Sequence, residues 1–119
     1  MKKYDEWNAV KKNLDNKKEI IEFKQRDIFW LSLGENIGFE QILVVKKLNK
    51  QLFFGVPLST TLRNGTYFYN FKFIDSVESS ALLVQAKVFD IKRVDKKIGM
   101  INQEDFKQLQ NKLGDLLGL

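Results

Sequence analysis

The spacing of apolar residues divides the chain into a helical start, a long region of strands and a helical end. In residues 3–18, apolar side chains recur at intervals of three to four, which predicts a helix with one narrow apolar stripe. We expect this helix to pack on the surface of the domain, and binding of a partner is the alternative. The pattern therefore predicts a helical extension at residues 1–24 and a main domain at residues 25–119.

From residue 26 onward the apolar pattern becomes an alternation or a solid run, both of which are typical of β-strands. Five segments fit: 27–33, 41–47, 51–59, 66–74 and 80–91. In the fourth segment, alternate aromatic residues share one predicted face: Tyr67, Tyr69, Phe71 and Phe73. The region therefore reads as a sheet of short strands.

Turn residues suggest how these strands connect. Asn64-Gly65 predicts a tight type I′ turn between the third and fourth strands. Asn49-Lys50 is a weaker turn signal between the second and third. Pro57 predicts an edge position or a bulge, because proline cannot donate to a ladder.

Residues 103–117 return to helical spacing, and Asn102 with Asp105 forms a variant of the capping box before them. The apolar face of this helix consists of Phe106, Leu109, Leu113, Leu116 and Leu117. Several short strands closed by a C-terminal helix predict a mainly β fold with helices, arranged as a small barrel-like sheet.

Composition narrows the function. A chain of 119 residues fits one domain, and its net charge of +5 is compatible with a polyanionic partner or with an ordinary mixed surface. The aromatic residues can fill a core or stack on bases. Cys and His are both absent from the sequence, so catalytic triads with His, thiolate chemistry and the usual metal sites are excluded. We predict no metal and no cofactor.

No apolar run in the sequence approaches the roughly 20 residues that a membrane span needs. The first residues are too charged for a signal peptide. We therefore expect a cytoplasmic protein with no membrane association.

The order of these motifs resembles the MazF/PemK family of toxins from bacterial toxin–antitoxin systems. Residues 26–41 resemble the opening strand and first loop of that family. Residues 42–61 resemble its two central strands, which end in a Pro-x-Ser or Pro-x-Thr element, and residues 79–119 resemble its last strands and closing helix. The resemblance covers residues 26–119.

This resemblance implies an SH3-like barrel with a C-terminal helix, usually a homodimer. It also implies a toxin of a type II system that is a metal-independent endoribonuclease. Such an enzyme cleaves single-stranded RNA by attack of the 2′-OH, which leaves a 2′,3′-cyclic phosphate. A cognate antitoxin protein is the second implied partner.

The family's site residues carry over in part. Ser59 matches the hydroxyl that follows the third strand, and Thr60 is next to it. Glu40 is implied either as a general base or as the group that orients an arginine, with an ordinary loop carboxylate as the alternative. Gln41 either contacts a base edge or caps the loop.

The implied RNA-binding residues lie elsewhere in the chain. Gln85, among apolar neighbours, either satisfies backbone groups or reads RNA. Lys46 and Lys87 are candidate phosphate contacts and otherwise surface lysines. Arg63 can reach phosphate from its loop, or it is an exposed loop charge.

The family's catalytic arginine, from an Arg-Pro pair before the second strand, has no counterpart here. The sequence passes from Gln41 directly to Ile42, which we interpret as an excised loop. Either residues are missing at this junction, or the chain lacks the loop and is an inactive homologue that binds RNA or an antitoxin. The first explanation is favoured, because no turn residue remains at the junction.

Overall fold

The computed structural model describes residues 21–33, 38–74 and 77–119. These residues form one curled antiparallel sheet of seven strands with a C-terminal helix. The strands are β1 Asp27–Ser32, β2 Phe39–Lys47, β3 Leu52–Ser59, β4 Phe68–Ile74, β5 Val77–Leu82, β6 Lys87–Asp90 and β7 Val94–Met100. The helix, α1, spans Gln103–Leu117. The predicted mainly β, small barrel-like fold with a closing helix is confirmed.

The predicted helix at residues 3–18 lies outside the described residues, and the division of the chain at residue 24 stays a prediction. Phe23, one residue before that boundary, is buried against the sheet. Its ring centroid lies 5.4 Å from that of Phe53. The segment that enters β1 is therefore part of the barrel's core packing.

The strand order is β4-β5-β3-β2-β1-β7, and β6 pairs with β3 beside this path. Along its length β3 changes partner: residues 52–55 pair with β6, whereas Leu58 and Ser59 pair with β5. Pro57 lies inside β3, between these two partners, and is paired with Ile42 of β2 on its other side. Because Pro57 lies between these two partners, its lack of an N–H removes no hydrogen bond from the sheet. Pro57 is nevertheless not on an edge strand.

Apolar side chains cover both faces of the sheet. On one face, Phe106, Leu109 and Leu113 of α1 pack on strand residues that include Ile28 and Leu43. The opposite face carries a second cluster of aromatic and aliphatic residues: Phe23, Phe29, Leu31, Ile42, Val44, Phe53, Phe89, Ile91 and Val94. Burial of each large side chain contributes about 1.5–3 kcal/mol to folding, so these two clusters hold the sheet in its curled form.

The two edge strands approach each other where the sheet curls. A Cβ added to Gly99 of β7 would lie 2.6 Å from Cδ2 of Phe73 on β4. Gly99 therefore provides the space in which the Phe73 ring packs, and it lets β7 come close to β4.

The start of α1 is fixed as the sequence predicts. Asn102 Oδ1 accepts a hydrogen bond from the Asp105 backbone N–H at 2.7 Å, so the capping interaction is confirmed. The Tyr69 hydroxyl of β4 donates to Asp105 Oδ1 at 2.7 Å. Burial is the largest cause that raises the pKa of Tyr69, and the hydrogen bond to Asp105 is the next. The Tyr69 hydroxyl therefore stays a donor. Lys112 Nζ donates to the carbonyls of Gly65 and Phe68 at 3.0 and 2.6 Å.

Two predictions about the strands are wrong, and one strand was not predicted. The Asn64-Gly65 pair does not join a hairpin, because β4 pairs with β5 and not with β3. The segment 80–91 is not one strand, since a 3₁₀ helix at Leu83–Gln85 separates β5 from β6. The last strand, β7, follows that segment and was not predicted. Its exposed lysines are typical of an edge strand, and they interrupt the apolar pattern from which a strand is predicted.

The predicted aromatic face of the fourth strand is confirmed for three of its four residues. Tyr69, Phe71 and Phe73 lie in or against the core on the helix side of the sheet. Tyr67 precedes β4 and is 53% exposed. The difference follows from β4, which begins at Phe68 after the loop of residues 60–67.

Arg26, just before β1, has a left-handed backbone conformation with a φ of 81°. Its N–H donates to the Val44 carbonyl at 2.9 Å, and its carbonyl accepts from Ile101 N–H at 3.0 Å. The side-chain Nε donates to the Ile101 carbonyl at 3.0 Å. These bonds tie the entry of β1 to the residues before α1, so Arg26 has a structural role.

We expect Arg26→Gly to be more stable than Arg26→Ala by about 1 kcal/mol, because a left-handed conformation costs a residue with a Cβ about that much. Both variants lose the side-chain bond, so their difference isolates the backbone strain. Urea unfolding of the two variants measures it. Equal free energies of unfolding would show that the positive φ carries no cost.

Candidate functional site

A row of polar side chains crosses four strands on the face of the sheet opposite α1. Ser59 of β3 pairs with Ser80 of β5, and Ser80 pairs with Asn70 of β4. Gln41 of β2 pairs with Leu58, so Glu40 and Ser59 occupy the next positions and share the other face. We call Glu40, Ser59, Ser80 and Asn70 the polar row. It brings a carboxylate and a hydroxyl from separate strands to one surface.

The loop after β3 is fastened to the polar row by hydrogen bonds. Ser59 Oγ accepts from Thr61 N–H at 3.0 Å, which is a local turn that serine favours. Ser80 Oγ accepts from Arg63 N–H at 2.8 Å and donates to Asn70 Oδ1. The exposed Arg63 side chain is therefore carried on a loop next to the cross-strand partner of Ser59.

Two clefts meet at Glu40. One, of about 330 Å³, is lined by Glu40, Pro57 and residues 84–87, so it includes Gln85 and Lys87. The other, of about 280 Å³, is lined by Glu40 and Lys87 together with Arg93 and residues of β1, β3 and β6. Glu40 and Lys87 therefore belong to both clefts, and these two side chains form the centre of the surface.

The second cleft has mixed charge. Asp90 lines it beside Lys87 and Arg93. The pKa of Asp90 is lowered most by a hydrogen bond from Lys92 N–H, and next by a hydrogen bond from the Gln51 side-chain amide. Asp90 therefore stays ionised, and it is held by the backbone and by Gln51. Lys87 Nζ lies 5.4 Å from the centroid of the Phe89 ring, a cation–π distance.

The second cleft thus has two carboxylates, Glu40 and Asp90, and two cations, Lys87 and Arg93, while the hydroxyl of Ser59 lies next to Glu40 on the polar row. A carboxylate can take a proton from a hydroxyl group, whereas a guanidinium and an ammonium can hold a phosphate.

A family model described as PemK-like, MazF-like toxin of type II toxin–antitoxin system matches residues 24–117. The chain belongs to this toxin family. No curated protein matches the chain.

Solved structures of MazF toxins share the fold. An endoribonuclease in complex with its cognate antitoxin from Mycobacterial species matches with a TM-score of 0.70 and 16% identity, over 82% of this chain and 96% of that one. MazE–MazF from Deinococcus radiodurans matches with a TM-score of 0.70 and 15% identity, over 83% and 98%. The Mycobacterium tuberculosis toxin MazF-mt6 matches with a TM-score of 0.64 and 14% identity, over 79% and 98%. These likenesses concern the fold.

The structure sorts the residues predicted for the site into three groups. Glu40, Gln85 and Lys87 line the first cleft together, and Gln85 is exposed there. Ser59, Thr60 and Arg63 lie along the polar row and in the loop that follows it. Each of these six residues stays a prediction as a functional residue.

The other two predicted residues lie outside the two clefts at Glu40. Lys46 lines a separate cleft near the far end of β2, with Lys24, Arg26 and Lys47 among its neighbours. Gln41 follows Glu40 on β2 and therefore points to the opposite face of the sheet. Neither residue shares a cleft with Glu40.

The interpretation of an excised loop between Gln41 and Ile42 is corrected by the strand pairing. Gln41 pairs with Trp30 and Leu58, and Ile42 pairs with Phe29 and Pro57. An insertion at this junction would break rungs of the ladder on both sides of β2. The β1–β2 connection is instead at residues 33–38, where Leu33 N–H donates to the Gly38 carbonyl at 2.9 Å.

Arg93 is a candidate that sequence reasoning missed. The charge density of segment 90–97 is typical of a solvated face and does not indicate a cleft. The 3₁₀ helix Ile91–Arg93 turns the chain between β6 and β7 and brings Arg93 to the cleft of Glu40 and Lys87. The buried Ile91 within this charged segment was the signal that the segment is anchored.

Proposed function

We propose that this member of the toxin family is a metal-independent endoribonuclease that cleaves single-stranded RNA. The observation that carries the proposal is that Glu40 and Lys87 line two adjoining clefts. One of these clefts adds Gln85 and the other adds Arg93. The family of the chain supports the same activity, since one similar solved structure is named an endoribonuclease.

In the proposed reaction, the Glu40 carboxylate takes the proton of the 2′-OH. The freed oxygen attacks the adjacent phosphorus, a 2′,3′-cyclic phosphate forms, and the 5′-oxygen leaves with a proton from water. Lys87 and Arg93, which are exposed at the second cleft, stabilise the charge that develops on the phosphoryl oxygens by electrostatic attraction. Ser59, beside Glu40 on the polar row, donates a further hydrogen bond to the phosphate.

The remaining predicted residues fit binding roles in this proposal. Gln85, exposed at the first cleft, contacts a base edge, and Thr60 supports the loop beside Ser59. Lys46 lies six residues from Glu40 along β2, or roughly 20 Å at strand spacing. It therefore contacts a phosphate several nucleotides from the scissile bond, where charge matters more than geometry.

We also propose two protein partners. One of the similar solved structures is named as a complex with its cognate antitoxin, and another is named as MazE–MazF. A cognate antitoxin would inhibit this chain by covering the clefts at Glu40. The toxin itself is proposed to be a homodimer.

Among the described residues, no helix is long and apolar enough to cross a membrane.

The test is incubation of the purified chain with a long single-stranded RNA in EDTA, followed by analysis of the product ends. We expect discrete cuts that leave 2′,3′-cyclic phosphates, and no cuts in the same sequence as a duplex. Binding of the RNA without cleavage would overturn the proposal in favour of an inactive homologue. Cleavage that EDTA abolishes would overturn the metal-independent mechanism.

A pair of arginine variants tests which guanidinium serves the phosphate. We expect Arg93→Met to lower kcat by about 100-fold, the usual cost of removing one group that stabilises developing charge. The matched control, Arg63→Met, removes an exposed guanidinium of the same kind from the loop beside Ser59. It is expected to change kcat less than about threefold. The reverse order of effects would assign the role to Arg63.

A further inference from the structure

The short connection between β6 and β7 depends on one carboxylate. Asp90 ends β6, and its Oδ1 accepts a hydrogen bond from the Lys92 backbone N–H at 2.9 Å. This bond caps the 3₁₀ helix Ile91–Arg93 at its start. A single helical turn is not stable by itself, because the first turn orders several residues for very few hydrogen bonds. The location of Arg93, the last residue of the turn, is therefore set by the groups that hold Asp90 and Ile91.

Gln51, from the turn between β2 and β3, holds both of these residues. Its side-chain Nε2 donates to Asp90 Oδ2 at 3.0 Å, so each oxygen of the carboxylate accepts a hydrogen bond. Its backbone carbonyl accepts from Ile91 N–H at 2.7 Å. One residue of the β2–β3 turn is thus bonded to the last residue of β6 and to the first residue of the 3₁₀ helix.

The turn that contains Gln51 is itself fixed. Asn49 Oδ1 accepts from the N–H groups of Gln51 and Leu52 at 2.8 and 2.7 Å, which is an Asx-turn. The Asn49 N–H in turn donates to the Leu52 carbonyl at 3.2 Å. On the other side of the contact, Ile91 is buried in the apolar cluster opposite α1. Gln51 therefore joins two anchored segments.

Asp90 needs a role other than contact with the substrate. It lines the second cleft with Glu40, Lys87 and Arg93, where its negative charge repels a phosphate. Its two oxygens are directed to Lys92 N–H and to Gln51. The hydrogen bonds of Asp90 thus serve the shape of the β6–β7 connection, although its charge acts against phosphate binding.

We propose that Gln51 and Asp90 are positioning residues that hold Arg93 at the cleft of Glu40 and Lys87. The inference rests on the proposed function, because it gives the position of Arg93 a part in RNA cleavage. Neither residue of the pair touches the RNA, and both act through the 3₁₀ helix. Displacement of a reacting group by about 1 Å can lower a rate by about 100-fold, so a loosened turn has a measurable effect.

A double-mutant cycle tests whether Asp90 acts through Arg93. Asp90→Ala removes both hydrogen bonds and should lower kcat by about tenfold, whereas loss of its charge alone would favour phosphate binding. In an Arg93→Met background, the same change should alter kcat by less than about twofold, because no guanidinium remains to be positioned. A merely structural role would give the same loss in both backgrounds.

The matched control for stability is Asn102→Ala. It removes the side-chain cap of α1, as Asp90→Ala removes the cap of the 3₁₀ helix. We expect both variants to unfold at lower urea concentrations than the parent. Only Asp90→Ala should lower kcat. Equal loss of kcat in the two variants would overturn the proposal, since the effect would then follow stability.

An exchange of the two side-chain groups tests the Gln51–Asp90 hydrogen bond. Gln51→Glu places a second carboxylate against Asp90, and the repulsion should lower kcat by about tenfold. Addition of Asp90→Asn restores a donor–acceptor pair without further change in size, and asparagine can still accept from Lys92 N–H. The double variant should recover kcat to within about threefold of the parent. Failure of Asp90→Asn to rescue Gln51→Glu would overturn the proposal.

Binding of a 2′-O-methyl oligonucleotide separates this proposal from that of RNA cleavage, because it lacks the attacking hydroxyl. Asp90→Ala should weaken binding when Arg93 is present and not in the Arg93→Met background. If this coupling is found in a chain that cleaves no RNA, the catalytic proposal is overturned and the positioning role is retained. If RNA is cleaved but both cycles show no coupling, the positioning role is overturned. A chain that neither binds nor cleaves would overturn both.

Discussion

Replacement of Glu40 by Gln is expected to slow RNA cleavage by about 100- to 10,000-fold, the range that a positioned general base contributes. The amide matches the carboxylate in shape but cannot take the proton of the 2′-OH. The loss should appear in kcat with little change in KM, because Lys87 and Arg93 still hold the phosphate. Single-turnover cleavage and oligonucleotide binding measured on the same preparation separate these two quantities.

The matched control is Glu78→Gln. Glu78 is a half-buried carboxylate on β5, as Glu40 is on β2, but it lines neither cleft at Glu40. Both variants should have free energies of unfolding close to that of the parent. Cleavage by Glu40→Gln at the rate of Glu78→Gln would remove Glu40 from the reaction and return it to the role of a surface carboxylate.

The largest expected effect on stability is that of Gly55→Ala, with a loss of about 3 kcal/mol. A Cβ at Gly55 would lie 2.8 Å from Ile42 Cγ2, 2.9 Å from Phe53 Cε2 and 3.0 Å from the Leu43 carbonyl oxygen. Gly55 is paired with β2 on one side and with β6 on the other, so the backbone cannot move away. Overpacking of this kind forces neighbours out of their preferred positions. Chemical denaturation measures the loss.

The same substitution elsewhere in the chain should have the opposite sign. Gly114 lies within α1, and a Cβ there would meet nothing within 4 Å. Alanine is a better helix former than glycine by up to about 1 kcal/mol, so Gly114→Ala is expected to raise the free energy of unfolding. If both variants were destabilised alike, the cost at Gly55 would not come from the crowded contacts.

The alternation of apolar residues was enough to predict most of the sheet, because β1 to β4 each have a buried face. The C-terminal helix was predicted because Asn102 and the spacing of Phe106, Leu109 and Leu113 are local signals. In contrast, β7 could not be found in this way, since its sequence is rich in lysine and its pairing with β1 is a long-range contact. The pairing of β4 with β5 was missed because Asn64-Gly65 resembles a hairpin turn.

The candidate site shows the same limit. The resemblance to a toxin family drew attention to Glu40, Gln85 and Lys87, and the fold brings these three to one cleft. Arg93 was missed because charge density alone does not distinguish an exposed face from a cleft. The polar row depends on register across four strands, which local patterns do not specify. The same holds for Gln41 Oε1, which is buried without a hydrogen-bond partner, since only the packed structure reveals this burial.

The most direct test of the proposed mechanism uses a DNA oligonucleotide with one ribonucleotide at the cleavage site mapped in long RNA. In EDTA, the chain should cut only after that ribonucleotide and leave a 2′,3′-cyclic phosphate. The same oligonucleotide with a 2′-O-methyl group at that position should stay intact. Cleavage of the methylated oligonucleotide would contradict attack by the 2′-OH. If the chain cleaves long RNA but does not cut after the single ribonucleotide, the 2′-OH at the cleavage site is not sufficient as the nucleophile. That result would contradict the proposed mechanism.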